Sequence, residues 1–166
     1  MIETSKGPAR FLEYPAKRAR VTLVLGHGAG GGGIAPDLAA IAEHLPGHGV
    51  SVLLHEQPWK VAGKKVAAAP PVLDVAWIES LATLTPRGRL IVGGRSAGAR
   101  VACRTATEVG ASAVLALAFP LHPPGKPEKT RVDELAVDVP LRIVQGRNDP
   151  FGRPGEFPPG LDLVDV

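Results

Sequence analysis

The sequence contains one cysteine, Cys103, in 166 residues. A lone thiol excludes an intramolecular disulfide and any zinc site built on several thiolates. Aromatic residues are also scarce, at 4%. The basic residues fall in short separate groups (Lys17, Arg18, Arg20; Lys64, Lys65; Arg87, Arg89) with no aromatics interleaved. A base-stacking nucleic-acid surface is therefore not expected. No apolar run approaches the roughly 18 residues of a membrane span. Residues 1–8 lack an apolar leader, so the expectation is a cytoplasmic protein with neither a nucleic-acid nor a membrane partner. Charge of one sign is not abundant either: the formal net charge is +3, with a sequence pI near 9.3.

What is present suits a globular fold. Apolar residues make up 45% and charged residues 21%, enough for both a core and solubility. Twenty glycines and 17 prolines point to many tight turns. Short β-branched runs at residues 21–25, 50–54, 90–92, 113–118, 141–144 and 161–164 read as buried strands. Residues 10–13 add an N-terminal edge strand. Helices are expected from Pro36 to about Leu45, from Pro71 with Leu73, Trp77, Leu81 and Leu84 on one face, and from Ser96 to Val109. A short helix is expected over residues 131–136, with long loops at 60–70 and 121–129. Near-continuous apolar strands separated by helices predict a single α/β domain over residues 1–166, with a mostly parallel sheet covered on both faces.

Ligands of such sheets bind beyond the carboxyl ends of the strands, so the residues after each apolar run carry the functional signal. Gly94-Arg95-Ser96-Ala97-Gly98 fits the G-x-S-x-G nucleophile elbow in its required context of strand, elbow and small-residue helix. The small residues at ±2 relieve a strained turn, which lifts a hydroxyl toward a helix N-terminus able to hold an oxyanion. The plain alternative is a glycine-rich turn whose Ser96 only caps the helix.

Gly26-His27-Gly28-Ala29-Gly30 follows residues 21–25. In a hydrolase it lends a second backbone N–H, from Ala29, to an oxyanion hole completed by Ala97, with His27 holding the loop. The rival is a dinucleotide fingerprint, Gly26-x-Gly28-x-x-Gly31, with Glu56 as the ribose acid. That rival needs a helix to start inside four consecutive glycines, which oppose it; Pro36 is the better start. A P-loop is ruled out because no lysine follows Gly31. Asp149, in Gly146-Arg147-Asn148-Asp149-Pro150, is placed to orient an imidazolium or simply to start an Asp-Pro turn.

Chain order poses a difficulty. In this fold the partners run Ser, Asp, His, yet His27, His44, His48, His55 and His122 all precede Asp149. His122 follows a strand and reads as a pocket or loop residue. His44, His48 and His55 read as surface or loop residues. Pro46 and Gly47 between His44 and His48 rule out a zinc-binding helix face, and no metal or cofactor is expected. Trp59 is a pocket, rim or core candidate. Arg95 and Arg100 flank the elbow, where either could meet an anionic substrate or stay solvated. Cys103 reads as a small core residue.

Taken together, Gly-His-Gly-Ala-Gly-Gly after a strand, Gly-Gly-Arg-Ser-Ala-Gly-Ala-Arg, Phe-Pro-Leu-His-Pro-Pro-Gly-Lys-Pro-Glu-Lys-Thr-Arg and Gln-Gly-Arg-Asn-Asp-Pro-Phe-Gly resemble the α/β-hydrolase superfamily. They look most like its small, capless, dienelactone-hydrolase-like branch, which also holds a testis-expressed vertebrate homologue and a scaffold subunit of a histone-acetyltransferase complex. The resemblance implies Ser96 as nucleophile, Asp149 as acid, and Ala29 with Ala97 as oxyanion donors. It places Gln57-Pro58-Trp59 and His122 near the pocket, and it implies a small-molecule acyl substrate. It also implies a catalytic histidine after the strand that follows the acid. Here that strand is residues 161–164, so the expectation is a domain lacking its C-terminal helix and histidine loop. The alternative is a binding module on a hydrolase scaffold.

Overall fold

The computed structural model describes residues 1–30 and 32–166. The elements in chain order are β1 (Arg10–Tyr14), β2 (Val21–Gly26), α1 (Pro36–His44), β3 (Val50–Glu56), α2 (Pro58–Val61), α3 (Pro70–Ala82), β4 (Arg89–Arg95), α4 (Ala97–Thr105), β5 (Ala113–Leu117), β6 (Leu141–Gln145) and β7 (Asp162–Asp165). Among the described residues, seven strands form one sheet in the order β1-β3-β2-β4-β5-β6-β7. β1 runs antiparallel to β3, and the other pairings are parallel.

Strand periodicity divides the core into two layers. Leu23 and Leu25 of β2 pack with Leu38 and Ala42 of α1 on one face. Val24, between them, joins Trp77 of α3 and Val101 of α4 on the other. β2 is thus apolar on both sides, as a strand covered by helices on both faces must be. Pro36 stands in the first turn of α1, and Asp37 Oδ1 accepts from Leu38 N at 2.9 Å. The Leu73, Trp77, Leu81 spacing does give α3 its buried face. Trp77 is fully buried, and truncation to alanine would cost roughly 3–5 kcal/mol.

Several expectations need correction. The helix after the elbow stops at Thr105, and the chain turns through Gly110 at φ +67° instead of continuing to Val109. Residues 131–136 hold one 3-10 turn, Val132–Leu135. The loop at 60–70 is shortened by α2, whose start, Gln57-Pro58, places proline in the first turn. His55 is not a surface or loop residue. β3 runs on to Glu56, β1 pairs Phe11 against His55, and the ring is 1% exposed. The dinucleotide reading fails because the helix starts at Pro36, beyond the glycine run. Gly31, which that fingerprint requires, lies outside the described residues. Among the described residues, no helix is long and apolar enough to cross a membrane.

Candidate active site

The elbow is built by close backbone approach. Ser96 joins β4 to α4 at φ 54°, ψ −113°, a conformation costing a non-glycine residue roughly 1–3 kcal/mol. Its surroundings impose it. Gly26 of β2 and Gly94 of β4 are paired in register. A Cβ on Gly94 would lie 2.4 Å from the Gly26 carbonyl oxygen, and one on Gly98 would lie 2.3 Å from the same atom. Neither position tolerates a side chain, so α4 is pressed onto β2 and the serine is lifted between them. Ser96 N donates to Leu117 O at 3.0 Å, which ties the elbow to β5. The side chain makes no capping bond to the helix. The plain capping role is therefore not what occupies this hydroxyl.

A cleft of about 1160 Å³ opens above the sheet's carboxyl edge. Ser96, Asp149, Gly28, Ala29, Arg95 and Gly146 are among its lining residues. The glycine loop crosses close to the serine: a Cβ on Gly28 would come 3.5 Å from Ser96 Cβ. Among the described residues, the N–H groups of Ala29 and Ala97 make no hydrogen bond. Ala97 stands in the first turn of α4, where such donors are unpaired by construction and favour negative charge.

His27 sits behind this loop. Its ring N at δ1 contacts Gly28 O at 2.7 Å, and Nε2 accepts from Gln57 N at 3.1 Å. An accepting Nε2 leaves the proton on Nδ1, so the ring is neutral and clips the loop to the start of α2. Burial, the largest cause, lowers its pKa below 6.5. Trp59 packs edge-on against it, with ring centroids 5.4 Å apart, and is 5% exposed. His27 and Trp59 line a cavity of about 10 Å³ behind the loop, not the cleft itself.

The acid side is built by hydrogen bonds. Asp149 Oδ1 accepts from Phe151 N at 2.9 Å, and Oδ2 accepts from Gln145 Nε2 at 3.2 Å. The Asp-Pro turn and the cleft position thus coexist at one residue. Gln145, at the end of β6, is fully buried. It opens Gln-Gly-Arg-Asn-Asp-Pro-Phe-Gly, but the motif gives it no role. A signal was present, because Gln145 shares the core-facing side of β6 with Ile143, where an amide is out of place unless something uses it.

The remaining candidates divide. Arg95 lines the cleft and donates to Asp37 Oδ2 at 2.6 Å. Arg100 turns away and grips Glu134 through two bonds of 2.8 and 2.7 Å. His122 does not line the cleft. Its Nδ1 contacts Pro123 O at 2.8 Å and its Nε2 contacts Glu156 Oε1 at 3.0 Å. Both partners are acceptors, so the contacts favour the imidazolium, in which both nitrogens donate. These two contacts, Pro123 first, raise its pKa above 6.5. A ring in that state has no lone pair to accept a serine proton. His55 Nε2 bonds Ser80 Oγ of α3 at 2.9 Å, and burial lowers its pKa to about 3. His44 and His48 are exposed on and after α1. Among the described residues, none of the five histidines lines the cleft. Cys103 is buried, and burial raises its thiol pKa to about 12, leaving an inert side chain.

A family model described as an alpha/beta hydrolase domain matches residues 19–159. The chain belongs to the α/β-hydrolase family. Its fold is similar to an α/β serine hydrolase without a lid from Xanthomonas campestris, with a TM-score of 0.75 at 20% identity over 99% of this chain and 81% of that one. An α/β serine hydrolase homologue from Coxiella burnetii gives 0.74 at 15% identity, covering 99% and 84%. Est1E from Butyrivibrio proteoclasticus, with ferulic acid bound, gives 0.67 at 15% identity, covering 95% and 85%. No curated protein matches the chain in sequence.

Proposed function

We propose that the chain is the core of a serine hydrolase acting on an ester, thioester or similar acyl bond, of the small capless dienelactone-hydrolase-like kind. The observation that carries this reading is Ser96 itself. It is held at φ 54° without a capping bond, in a cleft shared with Asp149. Ser96 Oγ bonds to the acyl carbon as its proton passes to an imidazole. The carbonyl π pair moves onto oxygen, where the N–H groups of Ala29 and Ala97 receive it. Collapse expels the alcohol or thiol, which takes that proton; water then releases the acid and restores the serine. Asp149 steadies the imidazolium between these steps.

The imidazole is assigned to no histidine of these 166 residues, since none lines the cleft. The same observation favours the second reading, a binding module that keeps the scaffold without turnover. The test is hydrolysis of p-nitrophenyl acetate and a short acyl thioester by protein expressed from its full reading frame. Turnover abolished by Ser96→Ala supports the enzyme. A folded protein with no Ser96-dependent turnover supports the binding module.

A further inference from the structure

The acid side of the cleft depends on an amide buried where the strand pattern calls for an apolar residue. Gln145 Oε1 accepts from Phe119 N at 2.9 Å. Its Nε2 reaches three acceptors: Gly152 O at 2.8 Å, Phe119 O at 3.2 Å and Asp149 Oδ2 at 3.2 Å. Two amide hydrogens serve three oxygens, so the shortest contact takes one and the other two share the second. The side chain is fully buried and its bonding capacity is spent.

These bonds connect three segments. Phe119 follows Ala118, which is held at φ 46°, a strained value for a residue with a Cβ. The amide grips Phe119 by both its N–H and its C=O, fixing the chain just past that strain. On the near side of the strain, Leu117 O accepts from Ser96 N. Gly152 and Asp149 belong to the loop after β6. Gly152 is seated with φ +139°, where a Cβ would lie 2.7 Å from Leu121 Cβ. A continuous path therefore runs from Ser96 through Leu117, Ala118 and Phe119 to Gln145, and from there to Asp149.

We propose that Gln145 is a positioning residue that sets the Asp149 carboxylate against the Ser96 elbow. This rests on the serine-hydrolase reading. A plain packing role does not need an amide hydrogen shared between Phe119 O and the acid's own oxygen.

The experiment is a double-mutant cycle on the full-length protein. The rate constant for labelling by a fluorophosphonate is read for wild type, Gln145→Leu, Asp149→Asn and the double variant, with Ser96→Ala as the blank. Melting temperatures are recorded on the same samples. Asp149→Asn is expected to slow labelling on the order of 100-fold. Gln145→Leu is expected to slow it on the order of tenfold, as a misplaced acid would. The double variant should match Asp149→Asn to within about twofold, because the amide acts through the acid. Gln145→Glu keeps the shape and the acceptor for Phe119 N. It should still slow labelling, and the melting temperatures separate that loss from unfolding, which a carboxylate facing three acceptors also promotes. Multiplicative losses in the double variant overturn the inference while leaving the serine reading intact. So does Gln145→Glu labelling at the wild-type rate, or Asp149→Asn having no effect. Absence of Ser96-dependent labelling in the wild type overturns the serine reading and this inference with it.

Discussion

The two halves of the cleft are held by different physics. On the serine side, position follows from contact: Gly26, Gly94 and Gly98 let two strands and a helix meet at distances that no side chain permits. On the acid side, position follows from bonding: one buried amide and one backbone N–H hold the two oxygens of Asp149. Steric placement is all-or-none, because backbone has nowhere to move in a packed interior. Hydrogen-bonded placement can loosen by degrees. The Ser96 half is thus rigid and intolerant, and the Asp149 half is adjustable at some cost in stability.

The largest effect expected is at the steric half. Gly98→Ala drives a Cβ against the Gly26 carbonyl, and should cost about 3 kcal/mol or more. The drop should be visible as a lowered midpoint in denaturant. A loss below about 1 kcal/mol would mean that the helix can retreat from β2 and that the contrast is overstated. Next comes the polar half. Gln145→Leu strands Phe119 N, Phe119 O and Gly152 O, with an expected cost of about 2–3 kcal/mol by the same measurement.

Acid separates the site from the scaffold beneath it. His55 stays neutral in the folded chain down to about pH 3, while an unfolded histidine binds its proton near pH 6.5. Between those values the unfolded state gains a proton that the folded state refuses, so stability falls as pH falls. The slope should approach about 1.4 kcal/mol per pH unit. His55→Phe, which keeps an aromatic ring beside Phe11 and Trp77, should flatten that limb of a stability–pH curve. His122 acts in the opposite sense. Its raised pKa makes the clasp on Glu156 fully effective below pH 6.5. The clasp weakens as pH rises through the folded value, and His122→Gln should remove that alkaline decline. The smallest effect is at the rim: Arg95→Ala breaks a half-exposed pair with Asp37 and should shift stability by no more than about 0.5 kcal/mol.

Much of this was legible in the chain. Short apolar runs alternating with helices made the strands and the sheet's mostly parallel character legible, although β4 runs on through Gly93 and Gly94 to Arg95. The elbow was legible because its glycines are required by contact, and contact leaves a sequence mark. The acid half left a weaker one. Gln145 looks like the polar end of a strand until alternation with Ile143 shows that it faces inward. His55 was misplaced because its cover comes from Phe11 on β1 and from Trp77 and Ser80 on α3, and no local pattern reports cover from distant segments. α4 ends early because residues 106–110 close into a turn, although the apolar spacing continues.

The most direct test is where a fluorophosphonate adduct forms. Full-length protein is labelled, digested and mapped by mass spectrometry. The account predicts one adduct, on Ser96 Oγ with fluoride lost, and none on the Ser96→Ala protein. An adduct on another residue, or a folded protein that carries none, would contradict it.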